Sequence, residues 1–201
     1  MKSLPLIFAI VPFIAFSKTR LEDYYVGFEI GSTIGHDYIE GEAFELTTNI
    51  PLESSSLNFN ILLGDTEATV LGATFEVDQF DIGADYLYHF QNVDGFVPFI
   101  GVGLHYIETT VGLGGITAEV DDIIWNLYLG TEFSVSDKLT LTPKLRLHQG
   151  FDDDLLDETE LEVSLAFTYW ISDEHGLSLN YRNNYLGDID FLGLQYLYSW
   201  E

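Results

Sequence analysis

Hydrophobic and polar residues alternate along most of this chain, from Tyr24 onward. The pattern is clearest in the last stretch, where every second residue is apolar or aromatic: Leu192, Leu194, Tyr196, Tyr198 and Trp200. A period of two residues predicts a β-strand whose two faces differ in polarity. One face of this strand must therefore lie against apolar surroundings.

The alternating segments number eleven, and short groups of Gly, Asp, Asn and Ser separate them. They cover residues 24–32, 42–50, 56–64, 69–77, 79–90, 96–108, 123–135, 139–149, 159–171, 177–185 and 190–201. A bacterial single-chain barrel has an even number of strands, so one segment must be wrong. The pattern is least regular over residues 35–64, around Pro51, and we place the error there. The sequence predicts about ten strands, with eight and twelve as alternatives.

The connections between segments differ in length. The apolar set changes parity between Val77 and Phe80, which predicts a tight turn at Asp78–Gln79. Short turns are predicted at 136–138 and 172–176, and long flexible connections at 109–122 and 150–158. Short turns of such barrels lie in the periplasm and long loops lie outside, which predicts the topology.

Alternation alone fits either a membrane barrel or a soluble lipocalin-like barrel, because one is the other turned inside out. Three features favour lipid outside. The apolar sets are unbroken, the polar sets mix charges with mid-strand glycine, and aromatic residues gather near segment ends, as they do at membrane interfaces. The predicted fold is all-β, a transmembrane antiparallel up-and-down β-barrel.

Residues 1–17 are predicted to be a secretory signal peptide. Lys2 gives the positive start, Leu4–Phe16 the apolar run, and Ala15-Phe16-Ser17 a small-x-small cleavage site. The run is too short to cross about 30 Å of hydrocarbon as a helix, which argues against the alternative of a membrane anchor. Residues 18–201 are then a single barrel domain.

The charge balance excludes one class of partner. The chain has 33 acidic and 7 basic residues, for a net charge of −26, and such a surface repels nucleic acid. The chain also contains no cysteine, so it has neither disulfides nor thiolate metal ligands. We predict no cofactor and no nucleic-acid partner, and no pattern specifies an oligomeric state.

Charged residues recur on the polar, inward-facing sets of the alternating segments. The predicted lumen charge network is Glu29, Asp81, Asp85, Glu132, Lys144, Arg146, Glu160, Glu162 and Arg182. Lys144 and Arg146 lie on a segment next to those of the carboxylates, so ion pairs across neighbouring strands are expected. The network either plugs a narrow lumen with salt bridges or lines a cation-preferring channel with excess carboxylate.

Acidic clusters outside the strands are candidates for Ca²⁺ or Mg²⁺. They are Glu119-Asp121-Asp122 and a second group of Asp152, Asp153 and Asp154 with Asp157 and Glu158. Hard cations prefer carboxylate oxygens, but these clusters lack the spacing and the glycine of an EF-hand. We therefore predict no metal site, and solvated loops or a divalent bridge to lipopolysaccharide are the two alternatives.

The chain resembles small outer-membrane β-barrels of the OmpA-like or porin-family type. The resemblance rests on the signal peptide, FVPFIGVGLHY at 96–106, the hairpin WNLYLGTEFSVSDKLTLTPKLRL at 125–147, and the terminal pattern of Gly193, Tyr196, Tyr198 and Trp200. That pattern is similar to the C-terminal signal that the barrel-assembly machinery recognises. The family usually ends on an aromatic residue, whereas Glu201 follows Trp200 here.

The resemblance implies a protein in the outer membrane of a Gram-negative bacterium. Its implied partners are outer-membrane lipid, lipopolysaccharide and the barrel-assembly machinery. Its expected role is structural, surface interaction or narrow passive permeation, and it is not expected to be an enzyme. A porin-like cation channel is one alternative. A lipid-A-modifying hydrolase is another, since barrel enzymes of this kind pair His with Ser and an acid, for which His148, Ser164 and Glu162 are the candidates.

Overall fold

The computed structural model describes residues 21–35, 38–70, 72–151, 159–184 and 189–200. The strands are β1 (Tyr24–Ile34), β2 (Ile39–Pro51), β3 (Ser55–Val70), β4 (Ala73–His89), β5 (Phe96–Leu113), β6 (Ile116–Ser136), β7 (Leu139–Gly150), β8 (Glu160–Trp170), β9 (His175–Asn184) and β10 (Ile189–Trp200). Helices with the length and apolar character of a membrane span do not occur in these ranges.

Every strand pairs antiparallel with its neighbours in sequence, and the first strand pairs with the last. The closing pair runs from Tyr24 opposite Trp200 to Ile34 opposite Asp190. The described residues therefore form a closed ten-strand barrel, which confirms the predicted fold class and strand number. We call the end that holds Tyr24 and Trp200 the terminal end and the opposite end the distal end.

Alternate residues of each strand point to opposite sides of the barrel wall. On β10 the side chain of Leu194 is 57% exposed on the outer face, whereas that of Leu197 is fully buried inside. Aromatic rings collect on the outer face at the terminal end, where Trp200 stacks on Tyr24 and Tyr198 with centroid distances of 6.1 and 6.0 Å. Amphipathic rings at one rim are typical of a membrane interface. The outer face thus carries the apolar belt that the sequence predicts.

Four neighbouring strands are longer than the others. The strands β3 to β6 contain 16, 17, 18 and 21 residues, while the rest contain 10 to 13. A strand of about 9–11 residues is enough to cross a bilayer. The excess lies at the distal end, and we call it the distal sheet, defined as residues 65–70, 73–78, 108–113 and 116–122.

The polarity of the outer face inverts where these strands enter the distal sheet. On β3 the outward residue Leu63 is followed by Asp65 and Glu67, and these lie opposite Asp78 and Glu76 of β4. On β4 the inward positions of the distal sheet are apolar, with Phe75 and Val77. The same face therefore meets hydrocarbon along the belt and water in the distal sheet.

This inversion corrects one prediction. No turn occurs at Asp78–Gln79, because β4 continues through both residues. The predicted segment 69–77 instead includes the end of β3 and the start of β4. The parity change marks the level at which the strand leaves the apolar belt, so the surplus segment was 69–77 and did not lie within 35–64.

The predicted long connection at 109–122 is also wrong. Residues 109–113 continue β5 and residues 116–122 begin β6, with only Gly114 and Gly115 between them. Both glycines have positive φ, 58° and 87°, which is the backbone of a two-residue hairpin turn that matches strand twist. Short turns do occur where predicted, after Ser136 and after Trp170. The other predicted long connection, 150–158, lies outside the described residues from 152 onward.

Candidate functional site

Large inward side chains lie over glycines of the neighbouring strand. The nearest atoms to a β-carbon built on Gly130 belong to the Phe99 ring, and those at Gly83 belong to the His105 ring. Mid-strand glycine thus provides the space in which a neighbour's ring can lie flat against the wall. This packing lets a ten-strand barrel fill a lumen that is wider than the interior of eight strands.

Arg182 forms a bridge across the lumen wall. Its guanidinium pairs with Glu29 on β1 and with Glu45 on β2, the latter at 2.9 Å between Nη1 and Oε2. The side chain starts on β9, so it passes β10 and β1 to reach Glu45. Along the way it lies over the ring of Phe191, 4.5 Å from the centroid. One cation therefore joins two carboxylates that face each other directly across β1 and β2.

Asn180 completes the shell around this group. Its side-chain amide donates to Glu29 and lies 3.5 Å from the amide oxygen of Gln195. The side chain of Glu29 is only 4% exposed, so its charge depends on these donors rather than on water. Gly193 leaves the space that the carboxylate occupies, because a β-carbon there would lie 2.7 Å from Cδ of Glu29.

A second group of charges lies on β7 and β8. Nη2 of Arg146 is 3.3 Å from Oε2 of Glu162, and Nε2 of His148 is 3.4 Å from Oε2 of Glu160. Arg146 and His148 also contact each other, with 3.1 Å between Nη2 and Nδ1. The two strands pair in register, so each basic residue lies directly opposite its carboxylate.

The third group consists of two carboxylates that share one imidazole. Nδ1 of His105 is 2.8 Å from Oδ1 of Asp81, and its Nε2 is 3.2 Å from Oδ1 of Asp85. The residue His105 is 2% exposed. Both ring nitrogens are thus engaged, and the ring joins the two inward residues of β4 that lie on either side of Gly83.

The remaining predicted members of the charge network are Lys144 and Glu132, which lie elsewhere on the lumen wall. Nζ of Lys144 lies 5.3 Å from the centroid of the Tyr128 ring. Glu132 is buried toward the terminal end, at 1% exposure. The structure therefore divides the predicted network into three groups, and Lys144 and Glu132 contribute to it from their own positions on β7 and β6.

Sequence reasoning missed several partners in these groups. Glu45 and Asn180 both occupy inward positions in the period-two pattern of β2 and β9, but neither belongs to the predicted charge network. His105 lies on the inward set of β5, but the alternation pattern alone does not link it to Asp81 and Asp85. That link depends on the register of β4 and β5, which places His105 opposite Gly83, between the two aspartates.

Two cavities occupy the lumen. One of about 360 Å³ lies toward the distal end and is lined by Arg146, His148 and Glu160 among others. The other, about 180 Å³, lies toward the terminal end and is lined by residues that include Lys144 and Tyr25. Arg182 lines both, so its bridge lies at the level where the two cavities meet.

Apolar side chains form two buried clusters at the terminal end of the lumen. One cluster is Leu21, Leu87, Val97, Phe99 and Tyr128, and another is Tyr25, Trp170 and Leu197. We call these two clusters together the floor. The chain ahead of β1 is attached here, because the side-chain amide of Asn49 donates to the backbone carbonyl of Asp23 at 2.6 Å.

The catalytic candidates do not form a nucleophile and base pair. The hydroxyl of Ser164 donates to the backbone carbonyl of Lys144 at 3.4 Å, while His148 faces Arg146 and Glu160. A Ser–His pair does occur elsewhere, with 3.1 Å between Oγ of Ser56 and Nε2 of His89. Ser56 is fully buried, so a substrate could not reach its hydroxyl.

Within the described ranges, no group of three or more His, Asp or Glu side chains is arranged to hold a metal ion. The candidates Asp152, Asp153 and Asp154 lie outside those ranges. The predicted assembly signal lies on β10, where Tyr196, Tyr198 and Trp200 face outward and Gly193 faces Glu29.

Several solved structures have a similar fold. The translocator domain of the autotransporter NalP from Neisseria meningitidis is 10% identical with a TM-score of 0.51, and the match covers 94% of this chain and 90% of that one. The β domain of the Bordetella autotransporter BrkA is 12% identical with a TM-score of 0.49, covering 89% and 98%. Neisserial surface protein A is 13% identical with a TM-score of 0.46, covering 88% and 97%. At these identities the likeness concerns the fold alone.

The sequence itself identifies the family. No curated protein matches the chain in sequence. The family model for the outer membrane protein β-barrel domain, however, matches residues 15–169, which is most of the chain. Together with the closed ten-strand barrel and its apolar outer belt, this match shows that the chain belongs to the outer membrane protein β-barrel domain family and that the outer membrane is its location.

Proposed function

We propose that this protein is a non-enzymatic barrel that holds the distal sheet at the cell surface and uses it for surface interaction. The observation that carries the proposal is the inversion of polarity along β3 to β6. Outward positions are apolar up to Leu63 and Phe80 and acidic beyond them. Membrane crossing needs only about 9–11 residues per strand, so the remainder serves a purpose outside the bilayer.

The orientation supports the same proposal. Bacterial barrels of this kind keep short turns in the periplasm and place their larger elements outside. The terminal end carries the turns at 137–138 and 171–174 and the aromatic residues of the predicted assembly signal. We therefore assign the terminal end to the periplasm, where the barrel-assembly machinery would engage β10 after export directed by residues 1–17. Lipid and lipopolysaccharide would contact the belt.

Single-cysteine labelling tests this orientation, because the natural chain contains no cysteine. We expect a Thr117→Cys variant, exposed in the distal sheet, to react with a membrane-impermeant maleimide on intact cells. A Glu53→Cys variant, in the exposed turn between β2 and β3, should react only after the outer membrane is permeabilised. The reverse pattern, or protection of both cysteines on intact cells, would refute the proposal.

A narrow cation-preferring channel is the second candidate function. It is favoured by the inward carboxylates around both cavities, including Glu45, Asp81 and Glu162. The floor argues against it, because Phe99 and Val97 are each only 2% exposed where a pore would need open space. We propose that the floor closes the barrel to ions.

Planar-bilayer recording distinguishes the two functions. We expect the wild-type barrel to show no conductance steps above background. A Phe99→Ala variant removes a ring from the floor and should give small cation-preferring steps, which also demonstrates that the protein inserts. Cation-selective steps from the wild type would support the channel and contradict the closed barrel.

A further inference from the structure

Among the residues that the structure describes, one strand of the distal sheet has a neighbour on only one side. The strand β6 begins at Ile116 and pairs with β5 along its whole distal part. Its pairing with β7 begins only at Ile124, opposite Gly150, and the next contact is the hydrogen bond from Phe151 N–H to the carbonyl of Ile123. In the described part of the chain, residues 116–121 therefore form a sheet edge about 20 Å long.

The hydrogen bond at Ile123 shows which backbone groups face away from the sheet. Its carbonyl points toward β7, and the backbone groups of successive residues in a strand alternate between the two sides. The N–H and C=O groups of Thr117, Glu119 and Asp121 therefore also point away from β5. A row of such groups is a template on which another strand can pair.

Residues 116–121 themselves carry few of the features that protect a strand edge from pairing with another chain. Residues 116–121 contain no proline or lysine, and their pairing with β5 is continuous without a bulge. The protection that remains is negative charge, from Glu119 and Asp121. That charge opposes pairing with the same edge of a second copy, since like charges would face each other.

The two faces of the edge have different chemistry. On the outer face, Glu119 and Asp121 lie opposite Thr110 and Glu108 of β5. On the inner face, Ala118 and Val120 lie opposite Val111 and Thr109. Directly opposed residues of antiparallel strands have their β-carbons about 4.5–5.5 Å apart, so an added strand would place its alternate side chains against acid and against apolar groups.

No basic side chain neutralises this acidic face within the described residues. Lys138 lies in a turn at the terminal end, and Lys144, Arg146 and Arg182 point into the lumen. A partner that carries basic side chains would complement the charge of this outer face.

We propose that the edge of β6 at residues 116–121 binds an extended segment of a partner protein as an added antiparallel strand, with alternating basic and apolar side chains. Basic residues would face Glu119 and Asp121, and apolar residues would face Ala118 and Val120. Backbone hydrogen bonds would supply affinity, and the alternation would supply specificity. The proposal rests on the assignment of the distal sheet to the cell surface.

Binding of synthetic peptides to the complete barrel in lipid nanodiscs tests the proposal. The probe is a fluorescent peptide of alternating Lys and Val, compared with one of alternating Glu and Val. In antiparallel pairing the lysines share the outer face with Glu119, so their own N–H groups would point at β6. N-methylation of the lysine nitrogens should weaken binding about tenfold or more by removing those bonds, whereas N-methylation of the valine nitrogens should change it less than about twofold.

A protein variant provides the matching control. Glu119→Pro removes an N–H that points away from β5, so the β5–β6 pairing is retained and edge binding should fall about tenfold or more. Heat-dependent gel mobility confirms that the variant remains folded. Equal binding of both methylated peptides, or no binding of the unmodified Lys–Val peptide, would overturn the proposal. Labelling of Thr117→Cys on intact cells is independent of these results, so loss of peptide binding with labelling preserved refutes only the edge site.

Discussion

Replacing Arg182 with methionine should destabilise the barrel by about 3–5 kcal/mol, because removing one member of a buried ion pair leaves charge without compensation. The side chains of Glu29 and Glu45 are only 4% and 14% exposed, so water would compensate their charges poorly after loss of the guanidinium. They also face each other directly across β1 and β2, and their mutual repulsion would add to the cost. Equilibrium unfolding by urea in lipid vesicles measures the effect.

Two further variants distinguish this charge effect from a non-specific loss of stability on substitution. Adding Glu29→Gln and Glu45→Gln to Arg182→Met should recover most of the lost stability, because a neutral set of similar volume avoids the buried charge. Lys138→Met removes a cation from an exposed turn and should change stability by less than about 0.5 kcal/mol. A small cost for Arg182→Met, or a triple variant as unstable as the single one, would show that the bridge does not stabilise the lumen.

Strand alternation predicts the belt well because lipid and lumen impose opposite polarities on the two faces. Leu194 and Leu197 show that the position in the alternation, rather than the residue type, determines the face. Both are leucine, yet only their parity places one outside and the other inside. The rule fails in the distal sheet, because the outer face there meets water. Glu76 and Asp78 are outward residues of the same strand as Phe80, so a change of solvent was misinterpreted as a turn.

The candidate site shows a different limit. The sequence predicts that Arg182 and Glu29 point inward, because each falls on the polar set of its strand. It does not predict that one guanidinium reaches both Glu29 and Glu45. That contact depends on closure of the barrel between β1 and β10, which brings residues far apart in sequence to one level of the lumen. Pairing between adjacent strands, as for Arg146 and Glu162, is within reach of the pattern once the register is known.

The Leu194→Arg variant should have a free energy of unfolding about 2–4 kcal/mol lower than the wild type. Leu194 lies on the lipid face in the middle of β10, so the charge must enter hydrocarbon. The matched variant is Thr110→Arg, which places the same side chain on the outer face of the distal sheet. Thr110 lies opposite Asp78 and Glu119, so arginine there should be neutral or slightly stabilising. Urea unfolding in phosphatidylcholine vesicles measures both variants.

The comparison tests the boundary between belt and distal sheet directly. Both positions lie on the outer face of a strand, so the alternation pattern alone predicts the same response at each. A difference arises only if the surroundings change from lipid to water between them, as the inversion of polarity after Leu63 indicates. Equal small costs at 194 and 110 would mean that water covers the whole outer face and would contradict a membrane belt. Equal large costs would place the distal sheet inside the bilayer, where its acidic rows could not remain charged.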